Sequence, residues 1–171
     1  FGLSDGSQVA ELMYAFLQQN QLRRPEHYSL EGSDNAVTRL YPHRYGDEIN
    51  QRITTYKAFS SQVSTIKQTV PAEYRDAYFQ LVEYPILSSE ITIREYMSAW
   101  KSKVYGTMNR PAAIHYRDES SKATQENNDL TNVYTSLKNG KWEDMIMARE
   151  GMRDFDPEKI KFSILKAVEK R

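Results

Sequence analysis

Three histidines are the first candidates for metal or acid–base chemistry in this chain of 171 residues. His27, His43 and His115 lie far apart, and none has a second histidine four residues away. Many helical zinc sites use such a pair, because residues i and i+4 share one face of a helix. The spacing therefore gives no support for a metal site. We expect surface or loop histidines, with a zinc site built from all three as the alternative.

Pairs of carboxylates are more numerous and could perform glycoside hydrolysis. That reaction needs two carboxyl groups facing one another across a cleft, about 5 to 9.5 Å apart. In a helical protein, neighbouring acidic residues point mostly to solvent, so we predict helix-surface charge for each pair. The pairs are Glu73/Asp76, Glu83/Glu90, Asp118/Glu119, Glu143/Asp144 and Asp154/Asp156.

Motifs for nucleophilic or phosphate chemistry are missing from the sequence. The chain has no cysteine, which excludes a cysteine nucleophile, a disulfide framework and thiolate metal sites. There is no Gly-x-Ser-x-Gly elbow, and no Gly-rich loop follows a strand, because no convincing strand exists. We therefore predict no cofactor and no metal, and no motif in the sequence identifies a catalytic residue.

Lys141 and Trp142 are the best candidates for contact with a substrate. They follow Asn139-Gly140, so they fall in a turn. An indole in a turn can stack on a sugar ring with a lysine beside it. The alternative is a tryptophan that closes the end of the fold.

Apolar periodicity predicts helices throughout the chain. A first helix is expected from about residue 5 to 22, with Val9, Leu12, Met13, Phe16 and Leu17 on its buried stripe. A second follows Asp47 as N-cap and keeps its stripe from Ile49 to Val70. Between them, residues 25–45 form a long loop that is a candidate contact surface or a mobile linker.

The run from Pro71 to Pro85 is predicted to be a central third helix. Pro71 suits the first helical position, and four aromatic residues lie between the two prolines. Pro85 should kink the chain or restart it as a fourth helix that reaches about Tyr105, with Trp100 in the core.

A fifth, peripheral helix should begin at Pro111 and end at the C-cap signal Asn139-Gly140. After Asp156-Pro157 we expect a terminal helix carrying Ile160, Ile164, Leu165 and Val168. The predicted fold is thus all-α, an antiparallel bundle of five to six helices in a single domain covering residues 1–171.

Composition limits the classes of partner. There are 23 basic and 23 acidic residues, so the formal net charge is zero and nucleic acid is not an expected partner. No apolar run approaches the roughly 18 residues that span a membrane, so no membrane contact is expected. Because the first residue is Phe1, the chain is interpreted as part of a longer gene product.

Four segments resemble glycoside hydrolase family 115, the xylan α-glucuronidases. The most specific is the run from Pro71 to Pro85, and the weakest is Gly140-Lys141-Trp142 followed by Met145. The other two are Arg23-Arg24-Pro25-Glu26-His27 and Tyr45-Gly46-Asp47-Glu48, and the resemblance covers about residues 8 to 147.

The resemblance implies a helical accessory domain rather than a complete enzyme. In that family a (β/α)₈ barrel carries the catalytic carboxylates, and a helical bundle and a β-sandwich follow it. The activity, inverting removal of 4-O-methylglucuronic acid from glucuronoxylan, would belong to the parent protein. Implied partners are that barrel, a polysaccharide or oligosaccharide, and a second copy in a homodimer, and the implied location is periplasmic or extracellular.

The sequence departs from the family after Trp142. Asp144 stands where the family usually has histidine, Ile146 replaces the second of two methionines, and Gly151-Met152 lacks a tyrosine. If that segment faces the active site in typical members, substrate choice would differ here. The alternative from another functional class is a helical protein-interaction module without a catalytic partner.

Overall fold

The structure is a computed structural model, and all regular elements among its described residues are helical. This confirms the predicted all-α class. The predictions for His27, His43, most of the 25–45 loop and the terminal helix lie outside the described residues. The described ranges are 6–22, 24–25, 40–42, 46–143 and 145–146.

Four long helices and one short helix form the described fold. Tyr56 on the second long helix contacts Phe16 on the first, Val63 accepts a hydrogen bond from Tyr78, and Ser102 donates one to Ala113. Each long helix thus packs on the next. The last two long helices are antiparallel, as predicted, because Ser102 contacts Ala113 whereas the earlier residue Arg94 contacts the later residue Glu126. The bounds are α1 Ser7–Leu22, α2 Glu48–Lys67, a 3-10 turn Ala72–Tyr74, α3 Arg75–Tyr78, a π-helical segment Phe79–Glu83, α4 Tyr84–Thr107 and α5 Ala112–Gly140.

The N-terminus of α2 begins as predicted at Asp47. Its Oδ1 accepts a hydrogen bond from the Asn50 backbone N–H at 3.0 Å, which satisfies one of the free donors of the first turn. Asp47 itself has φ 57°, in the left-handed region, directly after Gly46 at φ 72°. The chain therefore turns sharply into α2 at these two residues.

The apolar stripe of α1 is narrower than predicted. Val9, Leu12 and Phe16 are buried against α2, whereas Leu17 is 53% exposed. Phe16 packs edge-on against both Tyr56 and Phe59, with ring centres 6.2 Å apart in each pair. Among the described residues α2 is the main helix that packs on α1, and Leu17 lies about 100° around α1 from Phe16, beyond that contact.

The predicted role of Pro71 is wrong, whereas the predicted restart of a helix at Pro85 is confirmed. Pro71 precedes a 3-10 turn rather than occupying the first position of an α-helix. A regular α-helix starts again at Tyr84 with Pro85 in its first turn, although helical structure of one kind or another is continuous from Arg75 to Thr107. The π-helical segment lies directly before this proline, and its wider turn bonds the Tyr84 N–H to the Phe79 carbonyl. The opened turn accommodates the ring, which would clash with the preceding turn of a regular α-helix.

The central element is α4 rather than the 71–85 run. Every residue from Glu90 to Ala99 is buried, whereas Tyr74 and Leu81 in the earlier run are exposed. The reason is that α4 packs against α2 on one side and α5 on the other. Of the 71–85 run, Tyr78, Phe79, Val82 and Glu83 are buried.

The outer helix α5 contacts α4 through small side chains, in keeping with its predicted peripheral position. Its buried residues are Ala113, Ser120, Ala123, Asn127 and Thr131. Ser120 donates a hydrogen bond to the Glu95 carbonyl at 3.1 Å. Small residues let two helices approach closely, and their hydroxyl groups satisfy backbone carbonyls in the interface.

Trp100, predicted in the core, is only partly buried at its edge. Its Nε1–H donates a hydrogen bond to the Leu40 carbonyl at 2.8 Å. The end of the long connection after α1 therefore packs on α4. No helix within the described ranges has the length and apolar character needed to cross a membrane.

Candidate functional site

The end of α5 positions Lys141 and Trp142. Helical geometry is lost at Leu137, where ψ is 142°, and Lys138 and Asn139 then adopt left-handed conformations at φ 51° and 58°. Gly140 continues in this region at φ 80°. Asparagine and glycine tolerate it better than other residues, which explains why the Asn139-Gly140 signal correctly predicted the end of the helix.

Lys141 and Trp142 lie together in the turn that follows. The Lys141 ammonium is 5.0 Å from the centre of the Trp142 ring. Lys141 is exposed and Trp142 is half-buried, so their cation–π attraction is of the exposed kind, about 0.5–1 kcal/mol. The two predicted contact residues therefore form one unit with a cation held beside an aromatic face.

An ion pair ties this turn to the start of the central helical run. The Lys138 ammonium lies 2.6 Å from Asp76 Oδ2, and the two side chains are 61% and 44% exposed. Exposed pairs of this type contribute about 0.2–1 kcal/mol. The ion pair matters for position, because Lys138 is three residues before Lys141 and Asp76 belongs to α3. It thus fixes the turn that carries Lys141 relative to α3.

Next to the turn, α5 and the π-helical segment meet in an aromatic cluster of Phe79, Tyr84 and Tyr134. The Tyr84 and Tyr134 ring centres are 4.6 Å apart. Phe79 lies 6.0 Å from Tyr84 and 6.4 Å from Tyr134. Sequence analysis did not predict this cluster. The one local signal was Pro85, because a proline inside a helical run favours a widened turn before it.

The C-terminus of α2 reaches the same end of the bundle. Lys67 Nζ donates to Glu83 Oε1 at 2.8 Å and lies 5.9 Å from the centre of the Phe79 ring. Tyr78 donates its hydroxyl proton to the Val63 carbonyl at 2.9 Å. Burial, with the negative charge of Glu83 as a second cause, raises the pKa of Tyr78 to about 12.

The predicted solvent exposure of Glu83 and Glu90 is wrong. Glu83 is 5% exposed and Glu90 is 7% exposed, because this side of the helical run is covered by neighbouring helices. Glu83 is paired with Lys67, and Glu90 accepts two hydrogen bonds from Arg94 at 2.9 and 3.3 Å. Asp118 is exposed, as predicted for its pair.

Arg94 links α4 to α5 through two carboxylates. Its guanidinium contacts Glu90 on its own helix and Glu126 on α5. Burial alone would lower the pKa of Arg94, but the hydrogen bonds and charges of Glu90 and Glu126 outweigh it and raise that pKa above its usual value. Both carboxylates are bound to one cation, so this cluster acts as a cross-link between the helices.

Within the described ranges, the remaining histidine and acidic residues do not form a site. His115 is exposed on α5, with its ring centre 5.0 Å from that of Tyr116. In the part of the chain that the structure describes, no three histidine or acidic side chains are grouped as a metal site would require. Asp144, Asp154 and Asp156 lie outside that part.

These features define a helical domain. At one end of its bundle, the aromatic cluster of Phe79, Tyr84 and Tyr134 lies next to the turn that carries Lys141 and Trp142. No protein-family model and no curated protein matches the chain. Its structure is similar, with a TM-score of 0.62 and 28% sequence identity, to a family GH115 4-O-methyl-α-glucuronidase with specificity for decorated arabinogalactans. The match covers 90% of this chain and 19% of that enzyme's chain. This likeness supports a relationship to family GH115, and the chain spans about a fifth of the matched enzyme.

Proposed function

We propose that this chain is an accessory helical domain of a glycoside hydrolase related to the GH115 α-glucuronidases. The observation that carries the proposal is the likeness over 90% of this chain to one part of such an enzyme. The domain would support a catalytic (β/α)₈ barrel of the same protein, which would hold the catalytic carboxylates. A periplasmic or extracellular location and a homodimer contact belong to the same proposal.

The reaction proposed for the parent protein is inverting removal of 4-O-methylglucuronic acid from a polysaccharide. Glucuronoxylan is the substrate that the sequence resemblance implies. Decorated arabinogalactan is the second candidate, because the matched enzyme is specific for it. The departures from the family pattern at Asp144 and Ile146 favour testing both.

Within this domain, we propose that Lys141 and Trp142 contact the substrate. The exposed ammonium of Lys141 would pair with the uronate carboxylate, and the indole beside it would stack on a sugar ring. The ion pair between Lys138 and Asp76 would hold their turn against α3. These contacts would contribute to binding, since the bonds that break would lie at the barrel.

The test is release of 4-O-methylglucuronic acid by the full-length parent, from glucuronoxylan and from decorated arabinogalactan, with this chain assayed in parallel. Release by the parent and not by the chain supports the proposal, and the preferred polysaccharide identifies the substrate. Release by the chain alone would contradict it. Release by neither would favour the alternative, a helical protein-interaction module.

The Lys141→Ala variant of the parent tests the contact. Loss of a charge-assisted hydrogen bond of about 1.5–3 kcal/mol would raise KM by roughly tenfold or more with kcat nearly unchanged. The matched control is Lys122→Ala, because Lys122 is another exposed lysine (67%) and lies in the middle of α5. Equal KM values for the two variants would exclude Lys141 as a substrate contact.

A further inference from the structure

An open groove of about 540 Å³ runs between α1 and α2. Its floor is apolar and consists of Leu12, Ala15, Phe59 and Ile66. Glu11 is the one charged residue among the described residues that line it, and Gln62 lies on its rim. An apolar groove of this size with a polar rim is typical of a surface that binds an amphipathic segment.

We propose that residues 157–171 of this same chain dock in this groove. The proposal is independent of the catalytic activity of the parent protein. These residues lie outside the described ranges, but their sequence has the pattern that such a groove would bind. Ile160, Ile164 and Val168 recur at intervals of four residues after Asp156-Pro157, which is a helix-start signal.

Charge also favours this occupant. Residues 157–171 contain five basic and two acidic residues, so the segment is positively charged. The charged residue that lines the groove, Glu11, is acidic. A helix that places Ile164 on the groove floor would direct its lysines toward the rim, where Glu11 and the solvent can accept them.

The reach of the chain fits the same groove. Lys138 contacts Asp76 and Lys67 contacts Glu83, so the C-termini of α5 and α2 lie at one end of the bundle. The groove lies along the C-terminal half of α2, toward that end. Neighbouring helices are about 8–10 Å apart, so the groove is about 20–25 Å from α5. The eleven residue steps from Ile146 to Pro157 can extend about 36 Å.

A disulfide trap tests the docking in the full 171-residue chain. The chain has no cysteine, so an introduced pair forms the sole possible disulfide within one molecule. The test variant is Gln62→Cys with Ile164→Cys. The docked segment brings these positions close enough for a disulfide, which needs Cα atoms within about 7 Å. We expect an intramolecular disulfide under mild oxidation, detected by mass spectrometry of non-reduced peptides.

Two matched controls test which face of the predicted terminal helix, and which face of α2, take part in the contact. Lys166→Cys with Gln62→Cys places the second thiol on the opposite face of the predicted terminal helix. Ser64→Cys with Ile164→Cys places the first thiol on α2 away from the groove, because Ser64 is exposed and does not line it. Both controls should form much less disulfide than the test pair.

Three outcomes would overturn the proposal. Equal disulfide formation in the test pair and its controls would show that residues 157–171 meet α2 at random and do not occupy the groove. No disulfide in the test pair, with folding confirmed by circular dichroism, would show that the segment does not occupy the groove. A disulfide between two molecules would assign the groove to a second copy of the chain. The altered positions Gln62 and Ser64 are exposed, so we expect each variant to fold.

Discussion

The ammonium group of Lys138 lies 2.6 Å from a carboxylate oxygen of Asp76. This contact connects the left-handed turn at the end of α5 to α3, at the start of the helical run that continues through Pro85. Two parts of the chain that are about sixty residues apart in sequence thus meet at one end of the bundle. Lys141 and Trp142 follow this junction, so their position depends on it.

Replacing Asp76 with asparagine should lower the free energy of unfolding by less than about 1 kcal/mol, because both partners are largely exposed. The difference from the wild-type chain should shrink in 1 M salt, where the Debye length is about 3 Å. Urea denaturation at low and high salt measures both effects. A salt-independent loss would indicate that Asp76 stabilises the fold by another interaction.

Replacing Arg94 with methionine should destabilise the fold by about 3–5 kcal/mol. The substitution leaves Glu90 buried without its cation and removes the link to Glu126 on α5. The Arg94→Lys variant should recover only part of the loss, because an ammonium group cannot reproduce the forked contacts of a guanidinium.

The control for Arg94 is Lys122→Met. Lys122 lies 3.8 Å from Glu126 but is 67% exposed, so its loss should cost less than about 0.5 kcal/mol. Urea denaturation of the three variants gives the comparison. Equal losses for Arg94→Met and Lys122→Met would contradict the interpretation of Arg94 as a buried cross-link.

Lys101 should also be sensitive to substitution. It is fully buried, and its ammonium donates to Asp47 Oδ2 at 3.0 Å and to Asn50 Oδ1 at 2.7 Å. In Lys101→Met the carboxylate that caps α2 loses its cation, but its side chain is 24% exposed, so we expect a loss of about 1–3 kcal/mol. The control is Lys103→Met on the exposed side of α4. Hydrogen exchange should locate the change at the first turn of α2, and protection unchanged there would contradict this role.

Stability at high pH should depend on Tyr78. Its pKa is raised from 10.0 to about 12 in the folded chain, so folding favours the protonated phenol. That contribution is fully present below pH 10, the unfolded value, and is lost as pH rises through about 12. In Tyr78→Phe this part of the pH dependence should disappear.

At neutral pH the same variant should lose about 1 kcal/mol, because the Val63 carbonyl loses its donor. Between pH 10 and 12 the gap between wild type and variant should narrow. Urea midpoints measured across this pH range give the comparison. A gap that stays constant would show that Tyr78 titrates alike in the folded and unfolded chains.

The two tryptophans should differ in their structural importance. Trp100→Ala removes a ring packed against the core and its hydrogen bond to Leu40, so we expect a loss of about 3 kcal/mol. Trp142 follows the end of α5 and is half-buried, so Trp142→Ala should cost about 1 kcal/mol. Thermal unfolding of both variants tests this. A large loss in Trp142→Ala would favour the interpretation that this residue closes the end of the bundle.

Local sequence predicted most helix positions correctly. The stripe of α2 from Ile49 to Ile66 is buried as its period indicates, except that Ile53 is only partly buried. Asp47 caps α2, and Asn139-Gly140 ends α5, because these signals act within a few residues and need no distant partner. The adjacency of Lys141 and Trp142 in a turn was predictable for the same reason.

Tertiary packing decided which side chains are buried, because the apolar period of one helix does not show which of its faces other helices cover. Leu17 is exposed because it lies beyond the face of α1 that packs on α2, whereas Glu83 and Glu90 are buried because their helical run is covered by α2 on one side and α5 on the other. A charged residue can be buried when a distant cation such as Lys67 or Arg94 reaches it. The sequence by itself determined the helices and their ends, which depend on local hydrogen bonds. Which faces were covered, and by which partners, depended on long-range packing.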